Sequence, residues 1–326
     1  MSQEATVKTL DTNVQVVPAT KVKSKMIRFK RYLPLFIMMV PGVIYLLINN
    51  YLPMAGLAIA FKDVNYSVGI FASEWIGLKN FEYLFSTRDA YVITRNTILY
   101  NGAFIIINTV IAIVVAIMLN EIKNKLAKSF YQSVILLPFL ISMVIVSYLG
   151  FAFLSVDVGY FNKTLLPMLG LEEISWYFES KYWPYILTFI HMWKGVGFLC
   201  VIYLAAIIGI DQEYYEAATL DGASKLQQIW YITIPSIMPV IVMMTLLAIG
   251  RIFYSDFGLF YQVPMNSGAI YDTTNVIDTY VYRGLIQLGD IGMSAAAGLY
   301  QSIVGFILVL LSNYLVRRKN KDNALF

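Results

Sequence analysis

Six long apolar runs, separated by polar stretches, set the pattern of the chain. Each approaches about 20 residues, the length at which an α-helix crosses the hydrocarbon of a bilayer. The pattern places span 1 at roughly Tyr32–Leu52, span 2 at Thr97–Leu119, span 3 at Phe130–Phe153 and span 4 at Pro184–Gly209. Span 5 is expected from Pro235 to about Phe253, and span 6 at Ser294–Leu315. Pro41-Gly42 predicts a kink in span 1, and Pro138 lies in the first half of span 3; neighbouring helices take up such breaks inside a membrane. A β-barrel would show short alternating segments instead. The expected fold class is all-α, a membrane protein of six transmembrane helices.

The polar stretch Asp211–Pro239, between spans 4 and 5, has the most internal structure. Asp211 is a good N-cap for a helix over about Gln212–Asp221. Ala217 and Ala218, side by side, let another backbone or a groove wall approach closely. Gly222 stands where a helix ends in the left-handed conformation. Ser224 with Gln227 forms a capping box for a second helix, in which Leu226, Ile229, Trp230 and Thr233 repeat at helical spacing. Pro235 and Pro239 mark entry into span 5. A plain connector would be short and basic. This one is long, has a single Lys, and carries Asp211, Glu213, Glu216 and Asp221. On these residues alone it reads as either a connector or a docking element.

Composition narrows the class. The 326 residues are 59% hydrophobic and 13% charged, with a mean hydropathy of +0.66, whereas soluble domains carry about 25% charged residues. The one cysteine, Cys200, lies within an apolar run, so no intrachain disulfide is possible. One Cys and one His exclude a Cys/His metal cluster within the chain. No Gly-Lys-Ser/Thr P-loop occurs, so if ATP drives this protein another subunit binds it. No catalytic residue, metal ligand or cofactor is expected in the chain itself.

Residues 1–30 read as a polar tail ending in a basic cluster, Lys21, Lys23, Lys25, Arg28, Lys30 and Arg31. Beside a hydrophobic span such a cluster is a positive-inside anchor and not a nucleic-acid site. No cleavable signal is read, because the first apolar run is too long for one. The six-helix domain is assigned to residues 31–316 and a second short tail to 317–326. Fifteen Lys and Arg fall in the two tails, the span 2–3 link and the loop at 211–234; seven fall in the alternate loops. The charge bias places both termini and the 211–234 loop in the cytoplasm.

Ionisable residues inside spans are costly and mark functional candidates. His191, Lys194, Gly195 and Phe198 fall at i, i+3, i+4 and i+7, one stripe of span 4. Arg251 and Ser255 share a face of span 5, with Tyr254 between them. At 1.5 Å per residue, Lys194 lies roughly 15 Å from the outer end of its span and Arg251 roughly 24 Å from the inner end of its own. Both sets could line one cavity in the outer half of the membrane. Alternatively Arg251 pairs with Asp256, or the cations snorkel outward. Trp193, Phe253, Tyr254 and Phe257 fit a sugar-binding wall and an interfacial belt equally.

Glu216-Ala217-Ala218, Gly222, Ile232 and Ile234-Pro235 resemble the EAA motif of ATP-binding-cassette importer permeases: EAA, three residues, Gly, nine residues, Ile, one residue, Leu-Pro. Every spacing matches, and Ile234 in place of Leu is the one departure. Asp221-Gly222-Ala223 and Pro239 are similar to the carbohydrate branch. Ile76-Gly77-Leu78-Lys79-Asn80-Phe81 resembles the entry of the first outer loop in sugar importers. Ala60-Phe61-Lys62-Asp63, Trp193-Lys194 and the run Val276 to Arg283 resemble the complex-polysaccharide and aldouronate branch.

The resemblance implies a type I importer permease fold. It implies a coupling helix carrying Glu216, Ala217, Ala218, Asp221, Gly222, Ala223 and Pro235, which docks in a cleft of the ATPase. It further implies a substrate path along spans 4 and 5, with His191, Lys194, Gly195, Phe198, Arg251, Tyr254 and Ser255 as candidates. The implied partners are a second homologous permease, two cytoplasmic ATPases that hold ATP and Mg, an extracellular solute-binding protein, an oligosaccharide and membrane lipid. The implied location is the bacterial cell membrane. Acidic, uronate-containing saccharides are the expected cargo, with a neutral oligosaccharide or other solute as the alternative. An ion-coupled carrier would be expected to show acidic residues in mid-span and inverted repeats, which are not evident. A membrane enzyme would need a catalytic constellation, and the lone His has no carboxylate on its span.

Overall fold

Long helices joined by short turns and by longer polar loops follow from the six apolar runs. The computed structural model describes residues 25–319; most of both basic tails lies outside the described residues. The chain divides into two units, residues 1–55 and 56–326. The first holds α1 (Lys25–Leu46), with Pro34 and Pro41 inside it, followed by a π-helical turn over Leu47–Tyr51.

The second unit begins within a 3-10 stretch that ends at Phe61. A two-residue antiparallel ladder follows, β1 (Lys62–Asp63) with β2 (Glu74–Trp75), Lys62 facing Trp75. The helices are then α2 (Lys79–Ser86), α3 (Arg88–Asn120), α4 (Lys125–Leu140), α5 (Met143–Leu154), α6 (Leu166–Met168), α7 (Trp183–Ile208), α8 (Gln212–Leu220), α9 (Lys225–Gln228), α10 (Ile234–Ile249), α11 (Tyr271–Thr274), α12 (Ile277–Arg283) and α13 (Ile291–Lys319). Five helical runs are long and apolar enough to cross a membrane: Tyr32–Phe61, Arg88–Asn120, Ser180–Ile208, Lys225–Ile249 and Ile291–Arg318. The pair α4–α5 makes a sixth, in two pieces.

Spans 1 and 2 run longer than expected, to Phe61 and from Arg88, and spans 3 and 5 depart in form. Span 3 is not one helix: α4 and α5 meet at 92°. Pro138 has no N–H to continue the ladder, and Ser142 restarts it by capping α5, its Oγ accepting from Ile145 N at 3.4 Å. Span 5 begins earlier and ends earlier. The second helix of the polar stretch does not stop at Pro235; α9 widens into a π-helical turn over Ile229–Thr233 and continues as α10. Pro235 falls just after the π-helical turn, where the backbone hydrogen-bond pattern changes over. The helix then ends at Ile249 in tight turns, Arg251 N donating to Ala248 O and Ile252 N to Ile249 O. Arg251 and Ser255 therefore do not share a helical face.

The core of this unit is the seam between α3 and α7. Ala112 and Ala116 of α3 are fully buried against Val196, Cys200, Tyr203, Leu204 and Ile207 of α7, with Ile237 of α10 behind them. Small residues spaced by four let two backbones approach without hydrophobic help from water. Cys200 is a small member of this core. On the other flank of α7, Gly197 admits the backbone of α4, since a Cβ there would overlap Ile135 O.

The branch motifs outside the polar stretch turn out to be stitching. Asn80 is buried and its Nδ2 donates to Ala60 O and Lys62 O, each at 3.0 Å. Lys62 is also buried, its ammonium donating to Phe71 O and lying 5.1 Å from the Trp75 ring. Asp278 ties three elements together: one oxygen accepts from Ser255 N at 2.7 Å, and both accept from Gln301 Nε2 at 3.1–3.2 Å. Burial raises the Asp278 pKa, and these hydrogen bonds oppose that rise. Arg283 is buried among Asn266, Asn275 and Thr279, and burial lowers its pKa.

Candidate functional site

The first candidate site is the polar stretch between α7 and α10. Asp211 caps α8, its carboxylate accepting from Glu213 N at 3.1 Å. At the other end Gly222 takes φ +79°. Ala223 N donates to Ala218 O at 2.8 Å and Gly222 N to Thr219 O at 3.1 Å, the two bonds that close a helix on a left-handed residue. Ser224 N donates to Gln227 Oε1 at 2.7 Å, and Gln227 N returns the bond to Ser224 Oγ at 3.4 Å. The two caps turn the chain sharply and start α9 directly beside α8.

Three contacts absent from the sequence reading pin this turn. Gln228 is buried, and its Nε2 donates to Thr219 Oγ1 at 3.0 Å. The hydroxyls of Tyr215 and Thr233 meet at 2.9 Å. Lys225 reaches Glu121 beyond the end of α3 at 3.5 Å; both side chains are exposed, so the pair adds little energy. With its inner face fixed, α8 presents Glu216, Ala217, Leu220 and Asp221 outward, Leu220 at 89% exposure. Ala218 and Ala223 lie half-buried beneath them, and Pro235 is exposed at the root of α10. The helix, held from behind, thus carries an exposed leucine between Glu216 and Asp221 in sequence.

The second candidate site is a cavity of about 240 Å³ between α3, α7 and the end of α10, lined by Asn101, Phe104, Asn108, His191, Tyr203 and Arg251 among others. The His191 ring stacks on Phe104 at 3.8 Å and 8°. Asn108 Nδ2 and His191 Nδ1 lie 3.0 Å apart, within hydrogen-bond reach. Gly195 makes this possible, because a Cβ there would lie 3.0 Å from Asn108 Nδ2. Asn108 Oδ1 is buried and accepts no hydrogen bond among the described residues. The Arg251 side chain likewise has no hydrogen bond or ion pair among the described residues; the four ion pairs there involve other groups.

The structure thus brings His191, Gly195 and Arg251 together and adds Asn101, Asn108 and Tyr203, whose partners on other helices no spacing rule reveals. Lys194, Phe198 and Tyr254 turn elsewhere, and Ser255 meets the cavity through Asn101. Lys194 and Phe198 face α4: Phe198 stacks on Phe139 at 5.1 Å, and the Lys194 ammonium donates to Pro138 O at 3.0 Å and to Ile141 O. Tyr254 meets Ser302 of α13 at 3.3 Å. Ser255 Oγ accepts from Asn101 Nδ2 at 3.2 Å. Asp256 Oδ1 accepts from Leu259 N at 3.1 Å and does not pair with Arg251.

Comparison with known proteins gives this geometry its context. The sequence profile of the binding-protein-dependent transport system inner membrane component family matches residues 108–321. The polygalacturonan/rhamnogalacturonan transport system permease protein YteP of Bacillus subtilis is 35% identical over 302 residues, 93% of this chain and 93% of that protein. Protein LplB of the same organism is 33% identical over 307 residues, 94% of this chain and 96% of its own length. Among solved structures, a chain of a bacterial ABC transporter involved in the import of the acidic polysaccharide alginate superposes with a TM-score of 0.83 at 32% identity, covering 90% of this chain and 99% of that one. A second crystal structure of an alginate transporter, in complex with an alginate pentasaccharide-bound periplasmic protein, matches at TM-score 0.83 and 31% identity. On the span of the profile match and the near full-length similarity to these proteins, the chain belongs to the family of inner membrane components of binding-protein-dependent transport systems.

Proposed function

We propose that the chain is the membrane permease of an ATP-driven oligosaccharide importer whose cargo is acidic, bearing uronate carboxylates. The observation that carries the cargo is the unpaired Arg251 guanidinium on the cavity between α3, α7 and α10. The guanidinium is exposed and open to a ligand, and a carboxylate meets a guanidinium through two parallel hydrogen bonds. Asn101 and Asn108 suit sugar hydroxyls, which both donate and accept. The names of the relatives, polygalacturonan, rhamnogalacturonan and alginate, support the same class.

The mechanism is alternating access without bond chemistry in this chain. Two ATPase subunits hold ATP and Mg, and their closure moves α8 through Glu216, Ala217, Ala218, Asp221, Gly222 and Ala223. A second permease completes the pathway and an extracellular binding protein delivers cargo. Reconstitution tests this directly. The chain alone in liposomes takes up no oligosaccharide with ATP; uptake appears when the second permease, the ATPases and the binding protein are added. ATP-dependent uptake by the single chain would remove the assignment.

Both termini and α8 lie on the cytoplasmic side in this reading, as the charge bias requires. In a Cys200→Ala background, a cysteine at Lys79 is labelled by an impermeant thiol reagent in intact cells, and one at Lys225 is labelled only after lysis. Labelling of Lys225→Cys in intact cells reverses the orientation.

A further inference from the structure

Lys194 carries an ammonium inside a membrane span, yet it does not line the cavity. Its Nζ sits at the break between α4 and α5, donating to Pro138 O at 3.0 Å and to Ile141 O. No carboxylate lies within 4 Å of it among the described residues. Both carbonyls lie at the end of α4, where intrahelical partners run out; Pro138 O keeps one bond, from Ile141 N at 3.3 Å. In the membrane no water is present to take them, so an unmet carbonyl there costs several kcal/mol. The C-terminal end of a helix also carries partial negative charge, which favours a cation. In ion-coupled carriers, carbonyls of broken helices are the groups that hold a free sodium ion.

We propose that Lys194 is a tethered cation occupying this carbonyl site: a positioning residue that fixes the α4–α5 angle and fastens the break to α7, and not a ligand for the cargo. The neighbouring contacts agree. Gly197 lets α7 approach the α4 backbone, and Phe198 stacks on Phe139 two residues before the break. Gly258, on the chain beyond α10, has no room for a Cβ against Met143, the first residue of α5. The break is therefore held from both sides. Since α7 leads directly into α8, the same helix touches both the ATPase-facing element and the bend. The role rests on the chain being a transport component and not on the charge of its cargo.

The test uses the assembled complex in liposomes, with one acidic and one neutral oligosaccharide. Lys194→Met is expected to lower uptake of both alike, by about tenfold or more, the scale of losing a hydrogen bond from a charged group. Lys194→Arg, which keeps a cation with several donors, retains most of it. For Lys194→Ala, added ethylammonium restores part of the loss and tetramethylammonium, which has no N–H, does not. A loss confined to the acidic cargo, unchanged uptake in Lys194→Met, or equal responses to the two cations would overturn the proposal. If the Met and Ala variants fail to assemble, spin labels at Val134 and Tyr148, both exposed, report the angle in Lys194→Arg and Lys194→Gln. The distance distribution stays narrow in the first and broadens in the second; narrow in both is the contrary result.

Discussion

Replacing Gly222 by valine is expected to cut uptake at least about tenfold while the complex still reaches the membrane. The backbone at Gly222 stands at φ +79°, and a Cβ there would meet nothing within 4 Å. The penalty is therefore conformational and not steric crowding. An L-residue held left-handed loses roughly 1–2 kcal/mol, and a β-branched one more, enough to shift an equilibrium about tenfold. What gives way is the bond from Ala223 N to Ala218 O and with it the angle between α8 and α9. Gly222→Asn, which tolerates this region, keeps most of the uptake and serves as the control. Glu216→Lys leaves the turn intact, because Glu216 is exposed, and reverses the charge offered to the ATPase; its loss should equal that of Gly222→Val. Uptake is measured at equal membrane level, alongside ATP hydrolysis stimulated by the binding protein. Normal uptake in both variants would show that α8 is only a connector.

Arg251→Met is expected to separate acidic from neutral cargo. Without the guanidinium, use of an acidic oligosaccharide weakens by roughly 1.5–3 kcal/mol, about ten- to a hundredfold. A neutral oligosaccharide of the same length changes by less than about threefold, because only uncharged hydrogen bonds to Asn101 and Asn108 are involved. The comparison with Lys194→Met is the informative one. Arg251 faces the cavity and Lys194 faces carbonyls, so only the first should discriminate cargo. Equal losses for both cargoes in Arg251→Met would make that cation structural as well and leave the permease assignment standing.

Much of this arrangement can be read from local sequence, and the reasons are local. The caps at Asp211, Gly222 and Ser224 each involve residues within five positions of one another, so spacing alone locates them. The six-span count depends only on apolar run length. What could not be read depends on distant partners. Asn108 and His191 are 83 positions apart, and Gly195 matters only because Asn108 lies against it. The stripe His191, Lys194, Gly195 and Phe198 is narrower than a helix is wide. His191 and Gly195 turn to α3 while Lys194 and Phe198 turn to α4, since α7 has a neighbour on each side. The face shared by Arg251 and Ser255 failed for another reason: the helix that would have carried it ends at Ile249.

The joint between α7 and α8 is only three residues long, Gly209 to Asp211, and each is held. Gly209 N donates to Ala205 O and Ile210 N to Ile207 O, at 3.2 and 3.1 Å, while Asp211 caps the next helix. Such a joint has no slack: a displacement of α8 cannot be absorbed as a loop rearrangement and passes into α7 as a whole-helix movement. Slack at that point would let ATP be consumed with no cargo moved. In the coupling proposed above, this short, fully bonded corner is where nucleotide hydrolysis and cargo movement are tied together.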